Sequence, residues 1–524
     1  MNPWETATTT IRECLAHGIR EWVICSGARN ARLIEALVQA QNDSPITLYR
    51  HHDERAAAFF ALGRSLDTQA PCAVVTTSGT AVTELLPAMT EAHYRARPLV
   101  AVTADRPASF RGSGAPQTIR QPNIFGHIAA TGSLADWDQH SPLHLNVELD
   151  EPGSDELTPT EISSAPDAFT PPSWPRPRVG ELARWLRHEP FKGLVVMLGS
   201  LDPDDREDVF HFVHDLDVPV CADATSGLRE ALAERVLPDP DRTLATRPPG
   251  KILRLGGVPC GRFWRDLENL PDTSVWSMTR SPYPGLARPS KLLTSPIAPA
   301  LRALGEVEPV GDALDHLKNR TRQLAAIEEL LEAHPDSEPG MIRTLSHFVS
   351  LGSGLFLGNS LPIREWNLFA QRDRPVPNVR ANRGVNGIDG QISTWLGSSA
   401  HQPDAWALLG DLTALYDLGA PAFLPQIESR CRMLVVMQNH GGRIFDRLPA
   451  LQSMNPQTRE FMRNPTAAKL DHWAAMWDMD YLKIDRTDAF DSLEPGDRTQ
   501  VIELTPDPNE TRQFWQKWDA LMTP

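Results

Sequence analysis

Two stretches of this chain set oxygen donors directly behind apolar runs. Trp406-Ala-Leu-Leu reads as a strand, with Gly410-Asp411-Leu412-Thr413 at its carboxyl end, and Leu434-Val-Val-Met runs into Gln438-Asn439-His440-Gly441-Gly442. Ligands of open α/β sheets bind just beyond the carboxyl ends of strands. That edge would then carry one carboxylate, one side-chain amide and one glycine carbonyl. These are hard oxygen donors, suited to Mg²⁺ with water and phosphate completing its shell. Taken alone, Gly-Asp and Asn-x-Gly are equally ordinary turns.

A second pair of features lies near the N-terminus. Arg50-His51-His52-Asp53-Glu54-Arg55 follows a strand-like run and precedes AAAFFALGRSL. Glu54 therefore falls at a helix start beside an apolar surface, where desolvation would let a carboxyl hold or exchange a proton near neutrality. The plainer alternative is a solvated first-turn acid that favours the helix dipole. Thr77-Ser78-Gly79-Thr80 reads as a strand-to-helix turn whose small residues admit a ligand. It lacks the G-x-S-x-G pattern of a hydrolase nucleophile.

The elements that must position these residues alternate between short apolar runs and helical periodicity. Strands are expected at 21–25, 46–49, 72–77 and 98–103, with helices at 31–41, 55–65 and 81–95. Further strands are expected at 194–198, 218–221, 252–255, 354–357, 406–409, 433–437, 481–484 and 501–504, with a helix at 312–334. Strand–helix alternation implies mainly parallel sheets covered on both faces. The expected fold is thus α/β, with three consecutive doubly wound units at 1–180, 181–337 and 338–524. The proline-, serine- and acid-rich stretch 150–178 reads as a linker.

Composition narrows the class. At 524 residues with 41% hydrophobic and 23% charged content, the chain is that of a multi-domain globular protein. No apolar run is long enough to span a membrane and no apolar signal core is seen, which points to the cytoplasm. The six cysteines show no C-x-x-C spacing and read as reduced thiols. A net charge of −16 without a basic cluster argues against nucleic acid, and leaves any anionic ligand dependent on local arginines.

Eight ordered blocks carry a resemblance: HHDERAAAFFALG (51–63), TSGTAVTELLPA (77–88), LVAVTADRP (99–107), GAPQTIRQPNIFG (114–126), LGNSLPIREWN (357–367), ANRGVNGIDGQIST (381–394), GDLTALYDL (410–418) and NHGGRIFDRLP (439–449). The chain resembles thiamine-diphosphate enzymes of the acetolactate synthase and pyruvate decarboxylase type. It is more closely similar to the 2-succinyl-5-enolpyruvyl-6-hydroxy-3-cyclohexene-1-carboxylate synthases of menaquinone biosynthesis. The middle of the chain resembles that family only weakly.

The resemblance implies decarboxylation of 2-oxoglutarate and addition of the resulting carbanion equivalent to isochorismate, with thiamine diphosphate and Mg²⁺ or Mn²⁺. By the same resemblance Glu54 is the catalytic carboxyl on the cofactor's pyrimidine ring, and Asp411, Asn439 and the Gly441 carbonyl hold the metal. Thr413 and Asn386 donate to the diphosphate oxygens, Gly387, Gly410 and Leu412 also bind the cofactor, Ile388 props it, and Ile444 and Phe445 pack beside its reacting ring and the substrate. Matching substrate positions are Arg29, Arg106, Gln117, Ser360, Arg364 and Arg383, four of them arginines suited to dicarboxylates. A homodimer or homotetramer is implied, with the cofactor held between subunits. The pattern departs from the family at Ala28 and Asn386, each in place of a serine, and at Gln438 in place of an asparagine; Arg262 falls near a basic position of the middle unit. Two alternatives stay open: a carboligase or decarboxylase acting on monocarboxylic 2-oxo acids, and a silent ligand-binding relative.

Overall fold

A computed structural model describes residues 2–150, 162, 173–188, 193–307, 316–349, 354–376, 378–428, 431–494 and 496–521. Its described strands form three sheets, and every pairing is parallel.

The first sheet holds β1 (Glu21–Ile24), β2 (Thr47–Arg50), β3 (Cys72–Thr76), β4 (Leu99–Asp105), β5 (Ala130–Thr131) and β6 (Leu143–Glu148), in the order β2-β1-β3-β4-β6-β5. The second holds β7 (Leu194–Leu198), β8 (Val220–Ala222), β9 (Lys251–Leu255), β10 (Ser274–Thr279) and β11 (Lys291–Thr294), ordered β11-β10-β9-β7-β8. The third holds β12 (Gly354–Leu357), β13 (Asn378–Arg380), β14 (Asp404–Gly410), β15 (Cys431–Met437), β16 (Asp480–Ile484) and β17 (Thr499–Leu504), ordered β13-β12-β14-β15-β17-β16. Strand order reverses between β1 and β3 in the first sheet and between β12 and β14 in the third. A crevice opens at such a point.

Both faces of the sheets are covered, as continuous Val/Ile/Leu runs require. In β7, Leu194, Val196 and Leu198 enter one apolar cluster, while Val195 and Met197 enter another. Burying a strand on both faces removes any polar alternation, which is why such runs read as strands without a period of two.

By contact density the chain divides into two compact units. One comprises Met1–Ser173 with Gly384–Pro403 and Tyr416–Ser429; the other comprises Trp174–Arg383, Asp404–Leu415 and Arg430–Pro524. The first unit thus takes in helix Gln391–Ser398, which crosses helix Glu54–Thr68 at glycines. A Cβ on Gly63 would stand 2.2 Å from the Thr394 carbonyl oxygen, and one on Gly397 would stand 2.2 Å from that of Phe60. Only the lack of a side chain lets the two backbones approach so closely. Arg64, fully buried in the same crossing, donates to the Gly397 carbonyl at 2.9 Å and to Glu21.

Some local expectations need correction. The helix expected over 81–95 is two, Thr80–Thr83 and Leu86–Tyr94. Pro87 lacks an N–H and is tolerated only in a first turn, so the helix restarts there. The helix expected over 312–334 is described as Arg320–Ala333, with part of its start outside the described residues, and the expected linker 150–178 lies largely outside them. Strands β5, β6, β10, β11 and β13 were not foreseen.

β6 shows why. It buries His144, whose Nε2 lies 2.8 Å from Thr103 Oγ1 and whose Nδ1 lies 2.9 Å from Thr131 Oγ1, and beside it Asn146 bonds Gln121 and Asp105. Polar residues satisfied by distant partners leave no apolar signature. Burial pushes the His144 imidazole down to about 4 from 6.5. Its folded pKa lies below its unfolded value, so its contribution is complete above 6.5 and is lost as pH falls toward 4. Between pH 7 and pH 5 this group is expected to remove about 2 kcal/mol of stability. The wild-type protein should therefore lose more urea resistance over that interval than His144→Gln; parallel losses would contradict the assignment.

Candidate functional site

The third sheet brings its predicted donors together. Asp411 begins helix Asp411–Tyr416 at the end of β14 and is 3% exposed. Its Oδ2 accepts from Gly441 N and its Oδ1 from Leu412 N, each at 2.7 Å. One carboxylate thus ties the end of β14 to the loop after β15. Burial raises its pKa, and the backbone donors of Gly441 and Leu412 oppose that rise. Gly441 sits at φ +108, and a Cβ there would stand 2.3 Å from the Arg463 carbonyl oxygen, so the loop needs glycine for both reasons.

Asn439 directs its amide nitrogen onto Glu338, with Nδ2 at 2.9 and 3.1 Å from the two carboxylate oxygens. Its amide oxygen is left for another partner. Glu338 and the neighbouring Glu365 are 2% and 1% exposed. Burial of the two carboxyls side by side pushes both upward, Glu365 further, while the Asn439 hydrogen bond lowers Glu338. Among the described residues no cluster of three His, Cys, Asp or Glu side chains could hold a metal. The donor set here is instead one buried carboxylate, an amide oxygen and a carbonyl, which fits a hard cation that takes its other ligands from phosphate and water.

Ile444 and Phe445 follow in the 3₁₀ turn Arg443–Arg447, both half-buried. The Phe445 ring lies over Gly442, 2.9 Å from where a Cβ would stand. Thr413 is buried two residues beyond Asp411, and Gly410 is half-buried before it.

Across the switch point, β12 ends at Gly358-Asn359-Ser360. Ser360 has φ +78 and ψ −127, a conformation normally left to glycine. Gly79 takes the same shape, φ +87 and ψ −135, after β3 in the first sheet. A serine retained under that strain points to a use for its side chain. Its carbonyl accepts from Arg364 Nη1 at 2.5 Å. Arg383, 7% exposed, donates Nη1 to Asn359 Oδ1 at 2.8 Å, while its buried Nε has no hydrogen-bond partner among the described residues. Asp223, raised by burial and lowered by the nearby Arg383, accepts from Cys260 N at 2.8 Å and Asn367 Nδ2 at 3.2 Å. Ser360, Arg364 and Arg383 therefore converge with Asn359, which sequence reasoning did not single out.

In the first unit, Glu54 opens helix Glu54–Thr68, capped by Asp53, whose Oδ1 accepts from Ala56 N at 3.1 Å. The Glu54 carboxyl is half-buried, and desolvation raises its pKa, reinforced by Asp53 and Glu84. The Thr77–Thr80 turn stands against two other loops. A Cβ on Gly27 would lie 2.5 Å from Thr77 Cβ, and one on Gly79 would lie 3.2 Å from Gln117 Cα. Gln117 is exposed, at φ +54. Arg29 is 5% exposed and donates Nη1 to the Leu149 carbonyl at 3.1 Å. Arg106 donates Nε to the Pro116 carbonyl at 3.2 Å and lies over the Phe110 ring.

The loop 384–388 belongs to this unit and carries Asn386 at φ +61, Gly387 and Ile388. It is pinned by Glu91, a buried carboxylate of helix Leu86–Tyr94 that accepts from Gly384 N at 2.7 Å and Val385 N at 2.8 Å. Neither Glu91 nor Glu338 was foreseen. In sequence each is a helical acid, indistinguishable from a solvated one until its burial is known.

These sheets and turns define a thiamine-diphosphate-dependent enzyme, and the family model for the thiamine pyrophosphate enzyme N-terminal TPP binding domain matches residues 5–124. A benzoylformate decarboxylase from Polynucleobacter necessarius shares the fold with a TM-score of 0.71 at 14% identity, covering 97% of this chain and 99% of that one. The 2-succinyl-5-enolpyruvyl-6-hydroxy-3-cyclohexene-1-carboxylate synthase of Akkermansia muciniphila is 46% identical, covering 98% of each chain. That of Bdellovibrio bacteriovorus is 37% identical over 99% of each. This chain belongs to the 2-succinyl-5-enolpyruvyl-6-hydroxy-3-cyclohexene-1-carboxylate synthase family. Among the described residues no helix is long and apolar enough to cross a membrane.

Proposed function

We propose that this chain decarboxylates 2-oxoglutarate and adds the resulting four-carbon unit to isochorismate, using thiamine diphosphate and Mg²⁺ or Mn²⁺. The observation that carries the reading is the buried Asp411 carboxylate joining the ends of two parallel strands beside an amide oxygen and a glycine carbonyl. Bound thiamine diphosphate supplies the nucleophilic carbon and the electron sink for decarboxylation.

The chain's own residues do the rest. Asp411, Asn439 through its amide oxygen, and the Gly441 carbonyl hold the metal. Thr413 and Asn386 are donors for the diphosphate oxygens, and Gly387, Gly410 and Leu412 are further cofactor-binding positions. Ile388 braces the cofactor, and Ile444 and Phe445 keep water from the reacting carbon. Glu54 holds and moves a proton at the pyrimidine ring nitrogen; its upward-shifted pKa suits that exchange.

Arg29, Arg106, Gln117, Ser360, Arg364 and Arg383 bind the substrate carboxylates. Arg383 is the best prepared: Asn359 fixes its fork, and its buried Nε, without a partner among the described residues, is open to a carboxylate oxygen. Ala28, in place of the family's serine, offers the substrate no hydroxyl at its position. We further propose that two or four copies of the chain associate to complete the site, and that its units follow the sheets at 1–180, 181–337 and 338–524.

CO₂ release decides the substrate. With cofactor, Mg²⁺ and isochorismate, release is expected from 2-oxoglutarate and little from pyruvate. The reverse preference would favour a monocarboxylate carboligase, and no product from either a silent binding protein. Arg383→Ala is expected to raise the apparent KM for a dicarboxylate substrate about 10- to 100-fold, through loss of charge-assisted hydrogen bonds. An unchanged KM would remove Arg383 from the substrate site.

A further inference from the structure

We infer that Glu338 is a positioning residue for the metal site, whose buried carboxylate holds the Asn439 amide so that the oxygen, and not the nitrogen, is offered to the cation. The inference rests on Asn439 being a metal ligand, as proposed above.

The argument begins with the ambiguity of an amide. The terminal torsion of asparagine has a broad, roughly two-fold profile. A half turn would exchange a ligating oxygen for an NH₂ group that cannot bind a cation. Glu338, the first residue of helix Glu338–Val349, removes that freedom: both carboxylate oxygens lie within hydrogen-bond reach of Asn439 Nδ2, at 2.9 and 3.1 Å. Both carboxylate oxygens accept from Nδ2, so the amide nitrogen is the atom that Glu338 holds. With the nitrogen pinned, the oxygen takes the opposite corner.

The grip is rigid on both sides. Glu338 N donates to Thr511 Oγ1 at 3.0 Å, and the side chain is 2% exposed beside the buried Glu365. The backbone of Asn439 is held separately, by Arg443 Nε on its carbonyl at 2.8 Å. What Glu338 adds is therefore the orientation of the side chain. A partner that orients a ligand in this way is typically worth 10- to 100-fold in metal affinity, as an order of magnitude.

A rival role is charge alone, one more anion near the cation. Two variants of the full-length protein separate the roles, with Mg²⁺ binding measured by titration calorimetry at saturating thiamine diphosphate. Glu338→Asp keeps the charge but is one methylene short of Asn439. It is expected to weaken Mg²⁺ binding about 10-fold or more. Glu338→Gln keeps the reach: its carbonyl oxygen still accepts from Nδ2, and its new N–H group faces Glu365. It is expected to bind Mg²⁺ close to wild type, a rescue by shape without charge.

The melting temperature of the metal-free protein is followed in parallel and is not expected to track that order. Native Mg²⁺ affinity in Glu338→Asp, or equal loss in both variants, would overturn the inference. Asn439→Ala distinguishes the two levels. If it binds Mg²⁺ normally, the metal assignment itself fails; if it loses Mg²⁺ while Glu338→Asp does not, only the role of Glu338 fails.

Discussion

Glu54→Gln is expected to lower kcat about 10²- to 10⁴-fold, the span associated with loss of a positioned general acid or base. Glutamine matches the shape of glutamate and still hydrogen-bonds, but it cannot take up or release a proton. The side chain sits at the start of helix Glu54–Thr68, half out of water, where desolvation and the carboxyls of Asp53 and Glu84 raise its pKa. Those are conditions for a group that exchanges a proton rather than one that anchors a charge. Cofactor affinity should stay near wild type, because the proposed grip on the diphosphate lies elsewhere. Steady-state rates with calorimetric cofactor binding check both halves. Normal turnover in the variant would remove Glu54 from the chemistry.

Asp411→Ala should fail in the opposite way. The carboxylate is the one charged side chain of the proposed metal set, and it also accepts from Gly441 N and Leu412 N at 2.7 Å. Hydrogen bonds to a charged acceptor are worth about 1.5–3 kcal/mol each. The alanine variant therefore loses a ligand and frees the loop that carries Gly441. Mg²⁺ and thiamine diphosphate affinities are expected to fall together, by about 10²-fold or more, beyond the effect of disturbing an orienting partner alone. Turnover would vanish at ordinary cofactor concentrations and return in part at high ones. If thiamine diphosphate bound Asp411→Ala as tightly as wild type in the presence of Mg²⁺, the metal site would have to be sought elsewhere.

The contrast between these variants separates proton transfer from anchoring within one cofactor site. It also frames Glu338, where Glu338→Asp is expected to weaken metal binding without the complete loss expected at Asp411. Glu91 is a parallel case: it fixes loop 384–388 through two backbone amides, although nothing in its sequence context separates it from a surface acid.

The amino-acid sequence by itself determined the parallel α/β class, most of the central strands and the ligand-bearing turns. Strands buried on both faces leave unbroken apolar runs, and their carboxyl ends are marked by glycine, asparagine and aspartate at 77–80, 358–360, 410–411 and 438–442. Those are local signals, carried by neighbours in the chain. Tertiary structure alone decided that Glu338 faces Asn439, that Arg383 is braced by Asn359, that helix 391–398 packs with the first unit, and that β6 can bury His144. Each of these depends on a polar group buried against a partner far away in the chain. Periodicity reports where apolar side chains go, and it is silent on which acid or imidazole has exchanged water for a distant hydrogen bond.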